Sequence, residues 1–146
     1  MAHHGFDFPA PHVVELAVRA EDIDAYGHVN NAVYLTWLDR AAWSHSTALG
    51  VPLEQCIALR RGMAAQHIEI DYLRAALSGD LVQAATWIVS VDSRLRAQRH
   101  FQIRRVADEA TLARARIEYV CINLDTGRAA RMPELFARAY VATVGS

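Results

Sequence analysis

The chain has 146 residues, 53% of them hydrophobic, with a formal net charge of −1 and two cysteines, Cys56 and Cys121. That length suits one domain, which buries roughly 68–70% of its unfolded surface without a disulfide or metal staple, and the apolar content excludes a disordered chain. The near-zero charge supplies no basic field for nucleic acid or a membrane surface, and so few cysteines point to a reduced, cytoplasmic setting.

Residues 1–11 carry two prolines and read as an irregular tail. They lack a basic stretch followed by an apolar core, so no signal peptide is expected. No apolar run approaches the ~20 residues that span a bilayer. Residues 12–20 read as a first strand. Asn30 or Asn31 can cap a helix, and Val33, Tyr34, Trp37, Leu38, Ala41, His45, Ala48 and Leu49 then recur at spacings of three and four. That is an amphipathic helix of about five turns, closed by Gly50 and Pro52. A short helical turn is expected at 53–59.

Beyond Gly62 the period changes to two. Residues 64–73 alternate His67, Glu69 and Asp71 with Ile68, Ile70 and Tyr72. Turns at 78–80, 92–95, 107–110 and 124–127 separate strands at 81–91, 97–106 and 112–123. The first of these strands carries Leu81, Ala85, Trp87, Val89 and Val91, and the last puts Ala113, Ala115, Ile117, Tyr119 and Cys121 on one face. Pro133 can open a last helix at 134–138. Short turns make antiparallel neighbours. Five strands and one long helix therefore give a single α+β domain.

The residues that carry chemistry gather in DIDAYGHVNNAVY, positions 22–34. Asp24 is of a type common in turns, where it accepts backbone N–H groups. It also stands four residues before His28 and just ahead of a helix start with free N–H groups and partial positive charge. A carboxylate, an imidazole and aimed backbone donors are the parts acyl transfer uses. Gly27 permits φ > 0 or a close approach. Asn30 and Asn31 read as caps that can also touch a ligand, and Tyr34 as a core residue whose hydroxyl can reach a cavity mouth.

Elsewhere, His67, Glu69 and Asp71 share a strand face that is either wet or a metal or acid–base site. All fifteen basic residues are arginines, so Schiff-base chemistry is excluded. Arg94, Arg128 and Arg131 lie in or after late turns, and two such hairpin ends together can hold an anionic handle. Cys121 reads as core, Cys56 lacks a histidine partner, and no metal or other cofactor is expected.

The block DIDAYGHVNNAVYLTWLDRA, followed by HIEIDYLRAALSGD and YVCINLDTGRAARMP, resembles the hotdog-fold acyl-CoA thioesterases of the 4-hydroxybenzoyl-CoA thioesterase family. The resemblance covers residues 14–133. It implies a hotdog fold, a five-stranded antiparallel sheet wrapped around one long central helix. It implies a homodimer or homotetramer with sites at subunit interfaces, and acyl-CoA as substrate, with acyl-carrier-protein thioesters as the alternative carrier. It places the catalytic carboxylate at Asp24. The block also resembles that of the plant-type acyl-carrier-protein thioesterases, where Asp24 and His28 match catalytic positions and Tyr26 replaces an asparagine. The expectation is thioester hydrolysis with Asp24 as nucleophile or general base, His28 assisting, and Gly27, Asn30, Asn31, Tyr34, Arg94, Arg128 and Arg131 around the substrate. A non-catalytic acyl-CoA binder and a hotdog dehydratase stand as alternatives.

Overall fold

Residues 5–144 are described by the computed structural model; His3 and His4 of the tail lie outside them. Strand β1 (His12–Ala17) leads through one 3-10 turn into helix α1 (Asn31–Ala48), followed by α2 (Leu53–Leu59). Strands β2 (Arg61–Tyr72), β3 (Leu81–Asp92), β4 (Arg96–Arg105) and β5 (Thr111–Asn123) and helix α3 (Glu134–Ala139) complete the order. The five strands form one sheet in the order β1-β3-β4-β5-β2, and every pairing is antiparallel. β2 is therefore an edge strand, twelve residues long, with Ile68 and Tyr72 exposed.

Helix α1 starts where the Asn30 side chain accepts the N–H of Ala32 at 2.9 Å, a cap of the kind worth about 1 kcal/mol. It ends before Gly50, whose φ of +93° takes the chain out of the helix. Tyr34, Trp37, Leu38 and Ala41 follow the three-and-four spacing and are buried. They meet Leu16 of β1, Val82 and Ala84 of β3, Phe101 and Ile103 of β4, and Ala113, Ala115 and Ile117 of β5 in one core. Leu38 is fully buried, which alone stabilises by roughly 1.5–3 kcal/mol. A second cluster closes the other end of the sheet, where Val51, Cys56, Met132, Phe136 and Tyr140 bring α2 and α3 onto Ile88, Ala97 and Cys121.

Val82 and Ala84, not Leu81 and Trp87, face the core around α1. A bulge between Ile88 and Ser90 then shifts the register, and an added residue reverses which side chains point inward. Val91 packs on the inner second cluster for that reason. Trp87 is nonetheless only 1% exposed, because it is covered from the outer face.

Its cover is the segment expected to be an irregular tail. The rings of Phe6 and Phe8 meet Trp87 edge-on, with centroids 6.3 and 5.3 Å away, and the Trp87 Nε1–H donates to the Pro9 carbonyl at 3.0 Å. The Asp7 N–H donates to Gln102 Oε1 at 2.8 Å, and Arg114 Nε donates to the Asp7 carboxylate at 2.7 Å. The Arg104 guanidinium sits 4.0 Å from the centre of the Phe6 ring. The tail is a strap across the outer faces of β3, β4 and β5, so Gln102, polar and on an outward position, is fully buried.

Candidate active site

The residues ahead of α1 form a tight loop closed on itself. Ile23 and Val29 bridge its base. The Asp24 N–H donates to the His28 carbonyl at 2.8 Å and the Gly27 N–H to the Asp24 carbonyl at 3.0 Å. Gly27 has φ of +79°, a conformation that strains residues with a Cβ. Its missing Cβ would meet nothing within 4 Å, so the turn rather than a close approach requires glycine.

The two aspartates of the loop do different work. Asp22 is buried: its Oδ2 accepts the Arg19 N–H at 2.8 Å, and its carbonyl accepts the Asn30 N–H at 2.8 Å. It is a structural pin between strand exit and helix start. Asp24 Oδ1 accepts the N–H of Tyr26 at 2.9 Å and that of His28 at 3.3 Å. Those bonds fix the carboxylate through Oδ1, and Oδ2 has no partner among the described residues.

Asp24 faces a cavity of about 350 Å³ that His28, Asn31, Tyr34, Tyr72 and Arg74 also line. Asn31 is the first helical residue, a position whose N–H has no acceptor within the helix. Asn30 is the cap and Asn31 a cavity residue, so the two asparagines divide the roles expected of both. The Asp24 carboxylate bonds the backbone of His28 and not its ring. His28 therefore lines the same space without forming a side-chain dyad with Asp24.

The far wall is segment 73–77, which joins β2 to β3. The Tyr34 hydroxyl accepts the Ala76 N–H at 2.9 Å, the Ala76 carbonyl accepts the Val29 N–H at 3.0 Å, and His28 bridges Leu77. The Tyr72 hydroxyl donates to the Asn31 carbonyl at 2.9 Å. Tyr34 is thus both core and cavity wall, and burial raises its pKa above the usual tyrosine value. Tyr72 and Arg74 were not singled out by the sequence. Their only signal is position, at the exit of β2 opposite the polar loop.

The late arginines are brought together, but elsewhere. The Met132 N–H donates to the Arg94 carbonyl at 2.7 Å and the Asn123 N–H to the Arg128 carbonyl at 2.9 Å. Arg94 Nη2 also donates to the Met132 carbonyl at 2.8 Å. Arg94 follows the far end of β3, roughly 36 Å along a twelve-residue strand from the end beside Leu77. Arg94, Arg128 and Arg131 consequently do not line the Asp24 cavity of their own chain.

The His67–Glu69 face has a simple electrostatic account. Glu69 accepts two bonds from Arg116 Nη2 at 2.7 and 2.8 Å, which with His67 lowers its pKa, and the His67 Nε2 lies 3.4 Å from it. Neither His67 nor Glu69 lines the Asp24 cavity. Among the described residues no cluster of three metal-ligating side chains occurs. Cys56 and Cys121 are buried, and burial raises both thiol pKa values.

The thioesterase-like superfamily model matches residues 18–140. Among curated proteins, the long-chain acyl-CoA thioesterase FadM of Escherichia coli is 28% identical over 115 residues, 79% of this chain and 86% of that protein. The acyl-CoA thioesterase YbgC of Haemophilus influenzae is 26% identical over 141 residues, 96% and 97% of the two chains. Among solved structures, Slr0204 of Synechocystis, a 1,4-dihydroxy-2-naphthoyl-CoA thioesterase, superposes with a TM-score of 0.80 at 24% identity, covering 90% of this chain and 96% of its own. At that identity the likeness speaks for the fold alone, the hotdog architecture of five antiparallel strands around one long helix.

Proposed function

We propose a function from the premise that the chain belongs to the thioesterase-like superfamily: it hydrolyses an acyl-CoA thioester to a free acid and CoA. The names of FadM and YbgC support the reaction class. The observation that carries the assignment of roles is Asp24, held by two backbone N–H groups through Oδ1 while it lines the cavity at the start of α1.

As a general base, Asp24 takes a proton from water while the oxygen attacks the thioester carbon. The tetrahedral oxyanion then collapses, the C–S bond breaks, and the thiolate is protonated as it leaves. As a nucleophile, Asp24 attacks the same carbon, the C–S bond breaks and the thiolate leaves as the protonated thiol, and water then hydrolyses the resulting mixed anhydride to the free acid and the Asp24 carboxylate. In both routes the Asn31 N–H at the helix start polarises the carbonyl oxygen, where the partial positive charge of the helix favours developing negative charge. His28 orients the thioester or passes the proton to sulfur. Arg74 is the cation lining this cavity and is placed to meet an anionic part of the carrier. Arg94, Arg128 and Arg131 serve the carrier's phosphates only from a neighbouring subunit. A homo-oligomer joined at the exposed β2 edge agrees with its unpaired backbone and with Ile68 and Tyr72.

Asp24→Asn tests the assignment. Asparagine keeps an oxygen to accept the Tyr26 and His28 N–H groups, so the fold is expected to hold within about 0.5 kcal/mol. Thiol release from acyl-CoA is expected to fall roughly 10²- to 10⁴-fold. A folded variant that releases thiol at the wild-type rate removes Asp24 from the chemistry. Binding of acyl-CoA by the wild type with no thiol release from short, long or aromatic esters favours the non-catalytic binder.

A further inference from the structure

A second cavity lies between the C-terminal half of α1 and the sheet, about 80 Å³ in volume. Arg99, on the inner face of β4, reaches into it and is only 4% exposed. A buried guanidinium is costly unless a carboxylate or phosphate compensates it. Here Arg99 donates through Nη1 to His45 Nδ1 at 2.7 Å and through Nη2 to Ser46 Oγ at 3.1 Å. Ser46 is neutral, and burial beside Arg99 pulls the His45 pKa down to about 4, so His45 is neutral too. Among the described residues no carboxylate forms an ion pair with Arg99. Asp39 stands at the rim of the cavity, exposed to solvent.

Two of the five guanidinium N–H groups are used, both on neutral acceptors. The Tyr119 hydroxyl, lining the same cavity, has no hydrogen-bond partner among the described residues. The remaining walls include Ala42, Trp43, Met63 and Ile88. A buried cation and an idle O–H donor thus converge on a space whose other walls are mostly apolar, with Ser46, Tyr140 and the exposed Asp39 as the remaining polar groups. The matching ligand is an acceptor with one negative charge and an apolar body.

We propose that this cavity binds a small organic acid, its carboxylate on Arg99 and Tyr119 and its apolar body against Ala42, Trp43, Met63 and Ile88. The site is separate from the Asp24 cavity of the same chain: Ser46 is fifteen residues beyond Asn31 on α1, about 22 Å along the helix axis. The proposal does not depend on the thioesterase reading.

Calorimetric titration with hexanoate and with its neutral isostere hexanamide tests it. Hexanoate is expected to bind the wild-type protein at least about tenfold more tightly than hexanamide, the worth of a charge-assisted hydrogen bond. Arg99→Met is expected to lose that preference, and Tyr119→Phe to weaken hexanoate several-fold. Asp24→Asn is expected to leave hexanoate affinity unchanged. The proposal is overturned if hexanoate does not bind, if the amide binds as well as the acid, if folded Arg99→Met keeps the preference, or if Asp24→Asn abolishes binding. Should Arg99→Met fail to fold, the acid–amide comparison and Tyr119→Phe decide alone. Thioester hydrolysis run with added hexanoate separates two sources of the acid. Inhibition that Arg99→Met or Tyr119→Phe relieves marks the acid as a reaction product held in the cavity. Unchanged rates beside measured binding mark it as an acid supplied from elsewhere.

Discussion

Tyr34→Phe isolates a single bond on which the wall of the Asp24 cavity depends. The tyrosine is 2% exposed, and its ring packs on Trp37 and Tyr72 at centroid distances of 4.9 and 5.1 Å. Phenylalanine keeps that volume and both ring contacts. The loss is the hydroxyl that accepts the Ala76 N–H at 2.9 Å. Ala76 is fully buried, so no water replaces the acceptor and the N–H carries its desolvation cost, about 1–3 kcal/mol. At about 2–4 °C per kcal/mol for a domain of this size, melting is expected to fall by several degrees. Denaturant titration gives the free energy directly. Because the Ala76 carbonyl also holds Val29, amide exchange at Ala76 and Val29 is expected to speed up before exchange in the core of β4. A destabilisation below about 0.5 kcal/mol with unchanged Ala76 exchange would refute the reasoning.

Two further outcomes follow from the structure. Phe8→Ala removes half of the aromatic cover of Trp87; a loss of about 1 kcal/mol is expected for a half-buried ring, with a red shift in tryptophan emission, and unchanged emission would mean that the strap does not cover Trp87 in solution. Acidification tests the His45–Arg99 contact: the folded pKa of His45, about 4, lies below its ordinary 6.5, so only the unfolded chain takes up this proton between those values. The corresponding stability is present above pH 6.5 and lost as pH falls toward 4. Denaturant midpoints are expected to drop more steeply from pH 7 to pH 5 in the wild type than in His45→Gln, and equal slopes would contradict the assignment.

Much of this protein was legible along the chain. The three-and-four spacing from Tyr34 to Ala41 belongs to one helix turning against one core, and short polar turns fix antiparallel neighbours, so helix, strands and turns fall within a few residues of their expected places. DIDAYGHVNNAVY was legible for a related reason: Asp24, Gly27 and Asn30 do their local work within a few residues of one another, through a turn, a left-handed glycine and a cap. Alternation along β3 does not tell its inner face, because it does so only when the outer face meets water. Here Phe6 and Phe8, some eighty residues away, bury Trp87 from outside, and the bulge after Ile88 reverses the pattern. The arginines show the same division. Sequence puts Arg94, Arg128 and Arg131 in turns, but only the sheet sets them at the end opposite Asp24. Arg99 carries no local signal, yet strand pairing turns it inward against His45 and Ser46 of α1 and leaves it without an ion-pair partner among the described residues. Local pattern determined the elements and the Asp24 loop. Tertiary packing alone decided which faces are doubly covered and where a buried charge lacks its partner, because both depend on groups that meet only once the sheet has closed over the helix.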